Sequence, residues 1–207
     1  MRNHVLPRSC RGVRRSERLR NCSHDRCGRR HNAFTLIELI VVVGIIIVLA
    51  GLVLSTVGYA RKKGARARAE TEIAAMSAAC ENYKADNGVY PSNSDTNALN
   101  AQTSVDPSAY QAASLYLYNA LFGATAGSRT PNAGARSYFV FKPKMLFPAD
   151  QTQTVQYIQD PFGNSYGYST IQAATQDTTK GYNPTFDLWS TASGTTIGDA
   201  PKWIKNW

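Results

Sequence analysis

The sequence predicts an α+β chain: one long N-terminal helix, membrane half plus head half, packed on a small antiparallel β-meander head. Three observations predict it. No Pro occurs from Phe34 to Tyr90, and Ala, Arg, Lys and Glu, all strong helix formers, dominate residues 60–84. Residues 39–54 are continuously apolar or Gly, and an apolar run of ~20 residues is long enough as a helix to cross a bilayer core of ~30 Å. The last third of the chain carries three strand-like runs, 155–158, 166–170 and 186–190, separated by turn residues.

The chain has 207 residues and a formal charge of +9, but the charge is concentrated. Residues 1–33 hold ten Arg against Glu17 and Asp25, which leaves the body close to neutral. The basic block abuts the apolar run, where orienting a membrane segment explains it better than nucleic-acid binding. His4, His24 and His31 lie in this block, as do Cys10, Cys22 and Cys27. The loose spacing of Cys22 and Cys27 in an Arg-rich stretch argues against zinc. After residue 33 there is no His, and Cys80 stands alone. The body therefore has neither an internal disulfide nor His-based catalysis, and the expectation is that it is not an enzyme.

Element by element, the helix is predicted over about 34–87. Its first half, to about residue 60, is the transmembrane part. The second half carries Ile73, Met76, Cys80 and Tyr83 at helical spacing, a stripe that reads as core. Asn87-Gly88 ends it. Residues 92–107 are turn-rich. Asp106-Pro107 caps a second helix over 108–122, with Leu115, Tyr118, Leu121 and Phe122 toward the core. A loop follows over 123–135, then a short strand at 138–141. Asp160-Pro161-Phe162-Gly163-Asn164 is strong turn chemistry. Trp189, Trp203 and Trp207 form an aromatic cluster at the C-terminal end. The Tyr residues are numerous enough to line a partner or glycan surface, which keeps open an anchored binding or adhesion module.

Glu38 stands four residues into an otherwise apolar segment. A charge at membrane depth costs about 2.5–3.5 kcal/mol on insertion scales, so it either has a partner or, sitting near one end of the segment, reaches the headgroups. A secretory signal core is shorter, 7–15 residues, and avoids such a carboxylate.

Residues 33–40, Ala-Phe-Thr-Leu-Ile-Glu-Leu-Ile, resemble the prepilin cleavage and methylation motif of type IV pilins and type II secretion pseudopilins. The stretches Asn87-Gly88-Val89-Tyr90-Pro91, 160–168 and Phe186-Asp187-Leu188-Trp189-Ser190 resemble the major pseudopilin of type II secretion. The resemblance implies a type IV pilin-like fold. It also implies that the leader, residues 1–33, is removed between Ala33 and Phe34, and that Phe34 is N-methylated. Glu38 would then serve assembly by pairing with the new α-amino group. Ala33 departs from the usual Gly before the cut, and slower cleavage is expected. The implied partners are copies of the chain and other pseudopilins or pilins, a prepilin peptidase, an assembly platform and membrane lipid. The implied location is the inner membrane, with the N-terminus cytoplasmic and the head, residues 61–207, outside. In the pseudopilins the loop after the last strand binds calcium through several Asp. Here residues 190–201 carry only Asp199, the likeliest calcium ligand.

Overall fold

The computed structural model describes residues 34–194 and 196–207. The leader, Ala33 and the Cys22–Cys27 pair lie outside them. The chain divides into a first unit ending at Ile47 and a second from Val48 to Trp207. The architecture is α+β and pilin-like, with a long N-terminal helix and small antiparallel sheets.

The helix α1 runs over Leu36–Asn87. Within it, side chains from Leu36 to Leu54 are exposed, and the segment is long and apolar enough to cross a membrane by length and composition. Farther along, Ala69, Ile73, Met76, Ala79 and Cys80 are buried, and Tyr83 packs partly against the same cluster. The predicted stripe is therefore the floor of the head's core. The helix stops where Gly88 takes a left-handed φ of +79° and donates its N–H to the Lys84 carbonyl at 2.7 Å. A residue without Cβ adopts that cap cheaply.

The head builds on this floor. A short helix α2 (Ser94–Ala98) opens with a reciprocal cap between Asn93 and Thr96. Asp106 caps a 3₁₀ turn, Pro107–Tyr110, which continues into α3 (Gln111–Phe122). Tyr118 and Leu121 are buried as expected, Leu115 and Phe122 are partly buried, and Leu117 joins them at 0% exposure. Strands β1 (Leu146–Phe147) and β2 (Tyr157–Ile158) pair antiparallel, Leu146 opposite Ile158. Strands β3 (Gly167–Ser169), β4 (Asp187–Ser190) and β5 (Ile204–Lys205) form an antiparallel meander in that order. A helix α4 (Ile171–Thr175) fills the connection between β3 and β4.

One predicted strand is absent. Residues 138–141 do not pair, because the N–H groups of Tyr138 and Phe139 both donate to the Leu121 carbonyl at the end of α3. The aromatic residues that suggested a strand are packing groups instead: Phe139 and Phe141 meet edge to face at 4.6 Å, and Tyr138 meets Tyr83 at 5.2 Å.

A buried polar link joins α1 to the meander. Glu72 is 8% exposed. Its carboxylate accepts from Arg68 Nε at 2.6 Å and from the Tyr166 hydroxyl at 2.7 Å. Burial and the neighbouring Glu72 raise the Tyr166 phenol well above its usual value, so the hydroxyl remains a donor. Removing one partner of a buried carboxylate leaves the full cost of its desolvation. Tyr166→Phe should therefore lower the unfolding free energy of the detergent-solubilised chain by about 1–3 kcal/mol, measured by urea titration. A change within error would mean that water replaces the phenol.

Cys80 is fully buried, and burial pushes its thiol up to about 12. The thiolate is the reactive form. At pH 8 iodoacetamide should leave Cys80 unmodified in the folded chain and label it in denaturant, as read by intact mass. Labelling of the folded chain at the denatured rate would show that this part of the core opens.

Candidate functional site: the helix start and the C-terminal loop

The first turn of α1 is closed by its own side chains. Glu38 Oε2 accepts from the Thr35 hydroxyl at 2.9 Å and from the Thr35 N–H at 3.1 Å. Thr35 Oγ1 accepts from the Glu38 N–H at 3.3 Å in return. This is a capping box, a Thr followed three residues later by Glu, which satisfies two of the N–H groups that every helix start leaves without partners. The carboxylate thus has a local partner inside the apolar segment. Sequence reasoning looked for a cationic partner and passed over Thr35, although the T-x-x-E spacing was there to be read. Phe34, directly before it, is 83% exposed.

The C-terminal end is organised by two buried acids and by the tryptophans. Asp160 is 3% exposed. Its carboxylate accepts from the N–H groups of Phe162 and Asn164 at 2.9 and 2.8 Å and from the Ser190 hydroxyl. The predicted turn is thereby pinned to β4. Gly163, at φ +94°, supplies the left-handed residue the turn needs. Asp187 receives the N–H groups of Tyr182 and Asn183 at 2.9 and 2.8 Å. Burial raises both acids above the ordinary carboxylate value despite these donors. The Trp189 ring lies over Gly167, where a Cβ would overlap it. It stacks on Trp203 at 6.4 Å, meets Trp207 at 6.1 Å and contacts Tyr110 at 5.1 Å, so the predicted aromatic cluster forms. Among the tyrosines considered for a binding surface, Tyr110, Tyr118, Tyr157, Tyr166 and Tyr168 are buried, and Tyr182 is exposed.

Asp199 lies in a 3₁₀ turn, Ile197–Lys202. One carboxylate oxygen accepts from the Thr196 hydroxyl at 2.8 Å and the other from Lys202 Nζ at 2.9 Å. Lys202 beside it, with Thr196, holds its carboxyl below the usual range.

Residues 28–54 match the family described as the prokaryotic N-terminal methylation motif. The chain is also similar to the type II secretion system core protein G of Pectobacterium carotovorum subsp. carotovorum, at 39% identity over 70 residues, which is 34% of this chain and 45% of that protein. Both are likenesses to prepilin-type proteins, one over the N-terminal motif and one over about a third of this chain. The chain thus spans less than half the length of the relative it matches. No solved structure matches it. The matched motif takes in Phe34, Thr35 and Glu38, whose capping geometry opens α1. The motif and the exposed apolar half of α1 suggest a membrane-anchored protein.

The described residues at the C-terminal loop do not fit calcium. Calcium takes 6–8 oxygens, carboxylates among them. Among the described residues no group of three His, Cys, Asp or Glu comes together to hold a metal, and both oxygens of Asp199 already have protein donors.

Proposed function

We propose that the chain is the precursor of a structural subunit of a type II secretion pseudopilus or a type IV pilus-like filament. The observation that carries the reading is the methylation-motif match over residues 28–54, coinciding with a carboxylate in the first turn of a membrane-length apolar helix. In this reading residues 1–33 are a basic leader, residues 34–60 the membrane half of the helix, and residues 61–207 an extracytoplasmic head. A prepilin peptidase cuts between Ala33 and Phe34 and methylates Phe34. The chain sits in the inner membrane with its N-terminus in the cytoplasm, the side with the denser Arg block.

Cleavage matters physically because it creates a cation. The new α-amino group of Phe34 lies within reach of Glu38, four residues on, in the same subunit or in a neighbour. Away from water such a pair is worth far more than at a surface, and a lone charge is costly. Each added subunit therefore prefers the one axial register that brings amine and carboxylate together. Thr35 gives Glu38 an uncharged partner beforehand, so the precursor carries no unsatisfied carboxylate while it waits. The protein's role is structural, with copies of itself, other pseudopilins and an assembly platform as partners. Its likeness to core protein G and its meander motifs favour a secretion pseudopilin over a pilus subunit.

The test is intact mass and N-terminal sequencing of the membrane-extracted protein, expressed with and without a prepilin peptidase. A peptidase-dependent product beginning at methylated Phe34 is expected. Retention of the leader, or a cut near residue 60, would overturn the reading. Glu38→Gln should be cut and methylated like the wild type, yet lose roughly tenfold or more of its cross-linkable multimers, because the amine loses its charged partner. Multimers at wild-type yield would remove Glu38 from the assembly mechanism.

A further inference from the structure

The loop after β4 is where the family resemblance places a calcium ion, and this chain fills that role with its own cations. Lys202 Nζ bonds one Asp199 oxygen at 2.9 Å and the Thr196 hydroxyl takes the other at 2.8 Å. Two backbone oxygens beside the turn have side-chain donors as well. The Lys202 carbonyl accepts from Arg66 Nη1, on α1, at 2.7 Å. The Ala192 carbonyl accepts from Asn164 Nδ2 at 2.8 Å. A second acid has no room at position 194, because a Cβ on Gly194 would fall 2.5 Å from that of Asp199.

Charge points the same way. A shallow groove of about 300 Å³ runs beside the loop, lined by Lys62, Arg66 and Lys202 with Asp199 as its only acid. Glu70 pairs with Arg66 at 3.2 Å, outside the groove's lining. With Arg66 matched by Glu70, Lys62 and Lys202 still leave the surroundings of Asp199 net positive, which disfavours a divalent ion.

We propose that Lys202 acts as a built-in counter-ion to Asp199 and Arg66 as a tie from α1 to the end of the turn, together closing the C-terminal loop, so its order, and any subunit contact it makes, is independent of divalent cations. Lys202 neutralises Asp199 from within the turn, and Arg66 ties the end of the turn to α1. A subunit built this way would not use calcium outside the cytoplasm as a condition for folding its loop. The inference concerns the folded head alone and does not depend on whether the leader is cut.

Hydrogen–deuterium exchange of the full-length chain in detergent tests it, comparing 1 mM calcium chloride with EGTA (about the concentration range of extracellular calcium modules). Exchange over residues 191–202 should be the same in both. Lys202→Met should speed exchange there about two- to fivefold, the range for one exposed ion pair, while Leu188–Ser190 stays protected and shows the head still folded. Lys202→Arg should keep most of the protection. Two results would overturn the proposal: calcium-dependent protection of the wild-type loop that EGTA reverses, or a Lys202→Met loop that exchanges at the wild-type rate. If Lys202→Met exposes Leu188–Ser190 too, the wild-type comparison in calcium and EGTA decides alone.

Discussion

The stripe from Ala69 to Tyr83 on α1 is apolar, and a helix has no means of covering its own face. Much of the head beyond residue 90 covers it, while Leu99, Tyr110, Trp189 and Trp203 pack in a cluster of their own. Helix α3, strands β2 and β3, and Tyr166 just before β3 bring Leu117, Leu121, Ile158, Tyr166 and Tyr168 into one cluster with Ile73, Met76 and Cys80. Each fully buried large apolar side chain contributes about 1.5–3 kcal/mol of transfer free energy, so this seam is the main drive for the head to fold. The sheets are too short to stand alone: two strands of two residues, and a meander whose longest strand is β4 with four. Isolated hairpins of that size are marginal in water. They persist because α1 and α3 carry them.

Burial of that seam forces a second problem, which is where polar groups go. Glu72 enters the seam with Arg68 and Tyr166. The Tyr168 hydroxyl donates to the Pro91 carbonyl at 2.8 Å, and Thr96 meets Thr170 at 2.8 Å, so the segment after α1 is fastened to β3. Asp160 and Asp187 serve the loops the same way. The consequence is that turns which would wander in isolation become fixed points. Asn206 extends this to the chain's end: its Oδ1 accepts from the Leu188 N–H at 2.9 Å, locking the last residues onto β4 beside the tryptophans.

The parts legible in the sequence were those with a period or a punctuation mark. The 3.6-residue stripe, the Asn-Gly stop, the Asp-Pro start before α3 and the Asp160–Asn164 turn each encode a local geometry. What escaped was set by tertiary context. The aromatic run 138–141 has strand propensity, yet the free carbonyl at the end of α3 captured its N–H groups. Helix α2 spans five residues, too few for a period to register. Strand β5 depends on β4 for partners, and nothing in Ile204-Lys205 announces it. At the helix start, Phe34 and Glu38 were read from the motif, but Thr35 was read only as a polar neighbour, since attention to a buried charge obscured an ordinary capping box.

Taken together, the acids of this chain follow one rule. Glu38 is met by Thr35, Glu72 by Arg68 and Tyr166, Asp160 by two backbone N–H groups and Ser190, and Asp187 by two more. Each of these carboxylates accepts hydrogen bonds from groups close at hand in the fold. Asp199, held by Thr196 and Lys202, obeys the same rule. Asp199 has its own donors inside the turn, and among the described residues no cluster of three His, Cys, Asp or Glu forms around it. The Glu38 pairing is different in kind: Thr35 satisfies the carboxylate's hydrogen bonds but leaves its charge. In the proposed filament subunit that residual charge, alone in an apolar segment, is what a newly made N-terminal amine would answer, so a local cap and the proposed assembly role are compatible at one residue.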